Sequence, residues 1–289
     1  KEMNAQKQRF INGCLKKDIS SNEAHTIFEL LSKFADYGFN KSHAAAYALI
    51  AFQTAYLKTH YPIEFFAASM SLDINNTDKI SIFQQELMRL KIKLAPPSVN
   101  YSGPNFLRNN DSILYALGAI KNVGIESMRD LYNERNKKGN FKDLNDFINR
   151  NNTSVINKKT IEALSCAGAF DEFNVSRAAV FNQASEIVKY HKSKNSNSID
   201  LQKDMFGDMN ISSFKLTKEE EWKSNYKLMK EYEMLGFYLS GHPLSTHKKN
   251  YKSFMLREYS EIKDNSELHN QKNLLLGGTL LSKKEKRSA

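Results

Sequence analysis

A lysine, a hydroxyl and an imidazole follow one another at Lys41, Ser42 and His43, directly after Asn40 and before a long apolar segment. Ser42 can cap a helix that begins here, and the backbone N–H groups of a helix N-terminus point outward. The helix dipole favours an anion at such a terminus by about 0.3–1 kcal/mol, Lys41 adds a full positive charge, and the hydroxyl and imidazole add directional donors. The cluster therefore indicates a site for a phosphate-bearing ligand; the plain alternative is a serine cap beside a surface lysine.

A second candidate site is the glycine-containing turn formed by Lys121, Asn122, Val123 and Gly124. A helix-hairpin-helix turn binds duplex DNA by aiming consecutive backbone N–H groups at one phosphate, and it needs the left-handed or unhindered backbone that glycine provides. Gly124 is present, whereas Asn122 stands where the first glycine is expected. Because asparagine tolerates the left-handed region better than most residues, the turn is predicted to form and to bind DNA phosphates. Simple packing of two helices is the alternative interpretation.

Lysines are expected to surround this turn. Lys121 lies within it, and Lys137 and Lys138 are predicted to lie close enough to neutralise further phosphates. A second turn around Cys166 and Gly168 has no adjacent lysine, which favours a structural role in pairing two hairpins.

A short apolar hook occurs in a polar stretch of the chain, at Gln202, Asp204, Met205 and Phe206. Segments of this kind become ordered when they enter a groove on a partner protein. Met205 and Phe206 would be the anchors, and Gln202 would be an orienting hydrogen-bonding group. The alternative is a loop that folds back onto its own domain.

The composition limits the class of protein. Forty-two Lys plus Arg residues against 32 Asp plus Glu residues give a net charge of +10, which favours polyanionic partners such as nucleic acids. Cys14 and Cys166 lie far apart without metal-ligand neighbours, so neither a disulfide framework nor a zinc site is expected, and a reducing cytoplasm fits. No apolar run approaches the roughly 18 residues of a membrane span. Ser-His-Asp, Cys-His and phosphate-loop patterns are also missing from the sequence.

The elements that must position these residues are predicted to be mostly helices. Positions 44–61 are apolar or small almost throughout, so a helix there is expected to be surrounded by protein on most sides. Pro96 and Pro97 predict a break between domains, with helices on both sides of the turn that follows. A charged helix is predicted at 217–234, and one β-strand with a glycine bulge at 274–281.

Four landmarks in this order resemble the bacterial DNA polymerase III alpha subunits, the replicative polymerases of the C family. They are the run 34–68, the turn 117–124, the peptide 202–206 and the segment 235–244. The resemblance implies a fold that is mainly α, with a short β portion at the C-terminus. The implied domains are the C-terminal part of the polymerase fingers at 1–95, a tandem helix-hairpin-helix domain at 96–193, a linker with a clamp-binding peptide and a charged helix at 194–232, and the connection to a truncated OB domain at 233–289.

The same resemblance implies roles for the candidate residues. Residues 40–43 would contact the triphosphate of the incoming dNTP, through Lys41 and His43 above all, and Tyr47 would face that pocket one helical turn further on. Residues 121–124 would grip the primer-template duplex, and residues 202–206 would bind the sliding clamp. Other replicase subunits are expected as partners, and a membrane is not.

The chain is expected to be a fragment that is inactive by itself. Nucleotide addition needs paired carboxylates that hold two Mg²⁺ ions, and the sequence contains no Asp-x-Asp. The nearest acidic clusters, Asp143 with Asp146 and Asp171 with Glu172, resemble ordinary surface carboxylates. We therefore expect no cofactor in this fragment and Mg²⁺ only in the complete polymerase. The alternatives are a non-enzymatic helix-hairpin-helix adaptor and a generic basic helical protein.

Overall fold

The computed structural model describes residues 2–37, 41–197, 213–247 and 274–280. The helices, in chain order, are α1 Glu2–Leu15, α2 Ser21–Tyr37, α3 Lys41–His60, α4 Pro62–Leu72, α5 Thr77–Arg89, α6 Ile125–Lys138, α7 Leu144–Arg150, α8 Lys158–Ala167, α9 Arg177–Asn182, α10 Ala184–Asn197 and α11 Ser224–Leu235. The strands are β1 Lys93–Ala95, β2 Leu107–Asn109 and β3 Ser112–Leu114, and short 3-10 helices lie at Leu117–Ala119, Asp171–Phe173 and Pro243–His247. The predicted mainly α-helical class is confirmed. The chain divides into two compact units, Lys1–Pro62 and Ile63–Ala289.

In the first unit, α1 and α2 pack against each other as a hairpin. Ser20 caps α2 reciprocally: its Oγ accepts from the backbone N–H of Glu23, whose carboxylate accepts from the Ser20 backbone N–H. Phe28 of α2 is buried against Phe10 of α1, with ring centroids 5.5 Å apart. Another face of α2 leaves large apolar side chains exposed, namely those of Ile27, Leu30, Leu31 and Phe34.

Helix α3 contradicts the expectation that it is surrounded by protein. Among its described side chains only Ala44 is half-buried, and all the others are exposed. The exposed ones include the aromatic rings of Tyr47, Phe52 and Tyr56. The sequence pattern correctly identifies a surface that water solvates poorly, but no described residue of the chain covers that surface.

Pro62 is the first residue of α4, as predicted, because a first-turn position needs no backbone N–H donor. A three-stranded sheet of order β1-β3-β2 follows α5, with β1 parallel and β2 antiparallel to β3. Ile113 at the centre of β3 is fully buried, opposite Leu94 of β1 and Arg108 of β2. The residues 112–114 around Ile113 thus form the central strand of the sheet.

The core of the second unit contains a chain of aromatic rings. Phe147 lies 5.2 Å from Phe141 and 5.1 Å from Phe170, measured between ring centroids. Arg135 of α6 is buried beside this core and donates to the carbonyl groups of Val99 and Ser102, at 2.7 and 2.8 Å. These bonds fix the loop between β1 and β2 against α6, because buried carbonyl groups require donors.

Residues 213–240, which we call the strap, run across the helices of the second unit. The sequence predicts a helix from Thr217, but the strap is irregular until α11 begins at Ser224. The Gln183 side chain donates to the Thr217 carbonyl and accepts from its N–H, both at 2.9 Å. Glu219 accepts a further bond from Asn182, at 2.6 Å. Side-chain bonds to the backbone compete with helix formation, which accounts for the late start of α11.

The β-strand predicted at 274–281 is not formed over the described residues 274–280. Only Leu276 there is a β-bridge residue, and Leu275 and Leu280 are exposed. A strand needs a paired neighbour over several residues to be stable, and the described residues provide none here. The small sheet of the structure lies instead at 93–114.

Candidate nucleic-acid interface

The turn before α6 adopts the left-handed backbone that the sequence requires, and it does so at Asn122. This residue has a φ of +66°, whereas Gly124, the N-cap of α6, has an ordinary φ of −79°. A Cβ at Gly124 would meet only Ser127 Oγ, at 3.5 Å, which is ordinary contact. The fold therefore does not require glycine at position 124. What glycine provides there is an open approach to the backbone.

Two backbone N–H groups of this turn donate to carbonyl groups of the protein, whereas the first N–H groups of α6 have no partner within their helix. The Lys121 N–H donates to the Met234 carbonyl at 3.0 Å, and the Val123 N–H donates to the Ile120 carbonyl at 3.2 Å. No side chain caps Gly124. The first N–H groups of α6 have no partner within the helix and lie at the positive end of its dipole. The backbone N–H groups that could serve an anion are thus at the start of α6, whereas the sequence predicts them at residues 121–124.

The charges around the turn differ from those predicted. Lys137 and Lys138 lie at the far end of α6, about 20 Å from the turn at a rise of 1.5 Å per residue, so they are not close to it. Lys121 is exposed at the turn itself. A groove of about 280 Å³ beside Asn122 is lined by two further lysines, Lys159 of α8 and Lys230 of α11. No local sequence signal links these positions, because tertiary packing alone brings them together.

Carboxylates moderate the charge of that groove. Glu162 and Glu233 also line it. Lys230 Nζ lies 2.9 Å from Glu233 Oε2, and the hydrogen bond to Glu233 raises the pKa of Lys230 above its ordinary value. Lys230 therefore remains charged but partly neutralised, which leaves Lys121 and Lys159 as the more available cations beside the turn.

The second turn is held by buried charges. Gly168 ends α8 in the left-handed region at φ +80°, and a Cβ there would lie 2.1 Å from Arg177 Nη2. Arg177 donates to both carboxylate oxygens of Asp171, at 2.8 and 2.5 Å, and to the Cys166 carbonyl at 3.2 Å. This packing agrees with the structural role predicted for the turn.

The predicted nucleotide cluster lies at the start of α3, in the first unit. Lys41 is the first residue of this helix, Ser42 and His43 belong to its first turn, and Asn40 lies outside the described residues. The His43 ring lies 4.5 Å from that of Tyr47, edge to face, one helical turn on. His43 and Tyr47 therefore share one side of α3 beside its N-terminus, where an anion is favoured.

The predicted clamp-binding peptide, with Gln202, Asp204, Met205 and Phe206, lies outside the described residues. The described strap begins shortly after it, where Phe214 packs against Tyr190 with ring centroids 5.6 Å apart.

The four carboxylates of the two acidic clusters hold local structure. Asp143 caps α7 by accepting from the Asp146 N–H, and Asp146 pairs with Arg150 at 3.1 Å. In the second cluster, Asp171 binds Arg177 and Glu172 accepts from Ser98 Oγ at 2.6 Å.

In the described ranges, no group of three His, Cys, Asp or Glu side chains could hold a metal ion. Nor does any described helix have the length and hydropathy needed to span a membrane.

Comparisons with known proteins find similarity both within the helix-hairpin-helix region and outside it. A family model for the helix-hairpin-helix motif matches residues 91–180. The chain is 46% identical over 244 residues to DNA polymerase III subunit alpha of Caulobacter vibrioides, an alignment that covers 84% of this chain and 21% of the relative. It is 39% identical over 300 residues to the same subunit of Campylobacter jejuni, covering 99% and 25% respectively. The chain thus spans about a quarter of the length of the curated relatives that it matches.

Proposed function

The chain is homologous to one segment of the DNA polymerase III alpha subunit, and we propose that it serves template-directed DNA synthesis as that segment of a bacterial replicative polymerase. Within that function, the second unit grips the duplex. The observation that carries this proposal is the turn before α6, where Asn122 is left-handed and the N-cap residue Gly124 offers no side chain to cap the helix. The first N–H groups of this 14-residue helix are therefore open to a phosphate. This geometry lies within the residues that match the helix-hairpin-helix family.

The turn is suited to contact the DNA backbone and not the bases. Backbone N–H groups and lysines recognise phosphates without reading sequence. With a net charge of +10, the chain would be drawn to duplex DNA, and the affinity would fall steeply with salt. Binding that ignores base sequence is what a polymerase needs behind its moving active site.

Gly124→Val tests this role. Valine fits the protein, since the φ of −79° is ordinary and the space is open, but its methyl groups would block a phosphate from the α6 amides. Charge-assisted hydrogen bonds contribute about 1.5–3 kcal/mol, so we expect the affinity of the full chain for duplex DNA to fall roughly 10- to 100-fold. Because valine is a poorer N-cap than glycine, the melting temperature should fall slightly, and DNA affinity is compared at a temperature where both chains are folded.

A matched pair of lysine variants provides the second measurement. Lys121→Ala removes a charge at the turn, and Lys137→Ala removes the same charge at the far end of α6. The slope of log affinity against log salt should decrease by about 1 for Lys121→Ala and remain unchanged for Lys137→Ala. If both variants and Gly124→Val bind DNA as the unaltered chain does, general basicity is responsible and the proposal fails.

The extent of the similarity favours the polymerase over a stand-alone helix-hairpin-helix adaptor. The family match to the hairpins ends at residue 180, whereas the similarity to the alpha subunits reaches 84–99% of the chain. An adaptor that shared only the hairpins would not account for similarity outside them.

The start of α3 is proposed to contact the incoming dNTP through Lys41, Ser42 and His43, with Asn40 before it and Tyr47 beyond it. The support is the position of these residues at the N-terminus of a 20-residue helix. In a full-length alpha subunit that carries this segment, His43→Ala should raise the KM for dNTP. Ala44→Gly, one residue further along α3, is the control and should not. Equal KM values would exclude the assignment.

The peptide at 202–206 is proposed to tether the polymerase to the sliding clamp. Tethering can add a factor of about 10²–10⁴ in avidity without new contacts to DNA. We expect the double variant Met205→Ala, Phe206→Ala to lose clamp affinity, measured with the full chain. The double variant Met209→Ala, Ile211→Ala removes two apolar side chains from the same stretch and should retain it. Loss in both variants, or in neither, would exclude this peptide as the tether.

A further inference from the structure

We propose that the strap positions the DNA-binding turn: α11 holds the backbone of Lys121, and Glu231 holds α11. Neither Glu231 nor the Met234 carbonyl would touch DNA; both would act through the shape of the turn. This inference rests on the proposed role of the turn in gripping duplex DNA.

The contact between α11 and the turn involves the backbone of both. The Lys121 N–H donates to the Met234 carbonyl at 3.0 Å, two residues before Gly236 ends α11 in the left-handed region at φ +84°. Met234 also lines the groove beside Asn122. A non-glycine residue such as Asn122 stays in the left-handed region only where neighbouring contacts over-determine its backbone. The end of α11 supplies such a contact immediately before Asn122.

Glu231 fixes α11 on two sides. Its side chain is only 2% exposed, and Oε1 accepts from the backbone N–H groups of Leu239 and Ser240, at 2.7 and 2.8 Å. These bonds fold the end of the strap back onto α11. On the other side, Oε2 lies 3.8 Å from Nη1 of Arg177, which is also buried. A buried carboxylate needs such partners, and its loss would leave Arg177 incompletely compensated.

One connected set of contacts therefore joins the two turns. Arg177 packs over Gly168 and binds Asp171 in the second turn, and Glu231 connects Arg177 to α11. The Met234 carbonyl of α11 then accepts from the Lys121 N–H in the first turn. The strap, which follows the proposed clamp-binding peptide in sequence, would thus set the geometry of the turn that is proposed to bind DNA.

The test combines amide hydrogen exchange with DNA affinity in the full chain. Glu231→Ala should loosen α11, so that exchange at the Lys121 N–H accelerates at least tenfold, together with the amides of α11. Affinity for duplex DNA should fall roughly 2- to 30-fold, the range for residues that act through a contact network. Glu231→Gln keeps an oxygen for Leu239 and Ser240 but loses the charge facing Arg177. The Lys121 exchange rate and the DNA affinity of this variant should therefore lie between those of Glu231→Ala and those of the unaltered chain.

Ile148→Val in α7 is the control for stability alone. Ile148 is fully buried in the same unit, and the loss of one methyl group lowers stability without removing a hydrogen bond or an ion pair of the strap. DNA affinity and Lys121 exchange should then remain unchanged at a temperature where every variant is folded. If Ile148→Val weakens DNA binding as much as Glu231→Ala, or if Glu231→Ala tightens it, the positioning role is overturned. If Gly124→Val leaves DNA binding intact, the proposed function itself fails, whatever Glu231 does.

Discussion

Asn122 holds a backbone conformation that most residues avoid, with φ at +66°. Asparagine occupies this region more readily than other non-glycine residues, and β-branched residues find it especially strained. The side chain at this position therefore decides how easily the turn closes.

We expect Asn122→Val to lower the free energy of unfolding by about 1–2 kcal/mol, because a β-branched residue is strained in the left-handed region and lacks the short polar side chain with which asparagine tolerates it. Asn122→Gly should change it by much less, because glycine enters this region without strain. Urea unfolding of the two variants measures the difference. Equal midpoints would mean that the turn does not hold this geometry in solution.

Cys14 and Cys166 should differ in reactivity. Cys166 is only 1% exposed, and burial raises the pKa of its thiol to about 12, so little thiolate forms at neutral pH. Cys14, in the first unit, is half-exposed. A thiol reagent at pH 8 should label Cys14 in the native chain and Cys166 only after unfolding. Labelling of Cys166 at the rate of Cys14 would contradict its burial in α8.

At the scale of elements, the strap is held just before α11 by Glu221. Its carboxylate accepts from the backbone N–H groups of Trp222 and Arg177 and pairs with Lys227. Partial burial opposes ionisation, but these bonds outweigh it and hold the pKa of Glu221 below its ordinary value of 4.5. An ionised Glu221 is thus favoured in the folded state.

The lowered pKa of Glu221 determines how its contribution to stability depends on pH. The contribution of Glu221 to stability should be complete above pH 4.5, the ordinary value, and should disappear as the pH falls through its lower folded pKa. The stability difference between the unaltered chain and Glu221→Gln should therefore shrink between pH 6 and pH 3, as measured by thermal unfolding. A difference that stays constant across this range would show that the charge of Glu221 does not hold the strap.

At the scale of the whole molecule, the two units differ in how much apolar surface they cover. In the described part of the first unit, the buried apolar side chains are those of Ile11, Ala24 and Phe28, while α3 is exposed throughout except at Ala44. Most of a helix's stability in a protein comes from tertiary packing, which the described residues provide for α3 only at Ala44. The regions that the two curated relatives share with this chain make up 21% and 25% of the relatives' own lengths.

We expect hydrogen exchange in the isolated chain to be fast across α3 and slow across α8, most of whose residues are buried. In a full-length alpha subunit that carries this segment, α3 should become protected, because an apolar helix of this kind requires covering protein. Strong protection of α3 in the isolated chain would contradict its exposure. Continued rapid exchange in the full-length protein would contradict the expected cover.

The sequence by itself determined the local features of this protein. Helix ends at Ser20, Pro62 and Asp143, the left-handed residue at Asn122 and the mainly helical class follow from residue type and spacing over a few positions. The family resemblance rests on motifs of the same short range. These features were predictable because capping, turn strain and hydrophobic periodicity are local properties.

Only the tertiary structure decided which distant residues meet. The contact of Met234 with Lys121, the placing of Lys159 beside Asn122 and the late start of α11 depend on residues far apart in sequence. The prediction that Lys137 and Lys138 flank the turn was wrong because α6 is 14 residues long and carries them to its other end. Packing and long-range hydrogen bonds override local preference wherever a buried group must find its partner elsewhere in the chain.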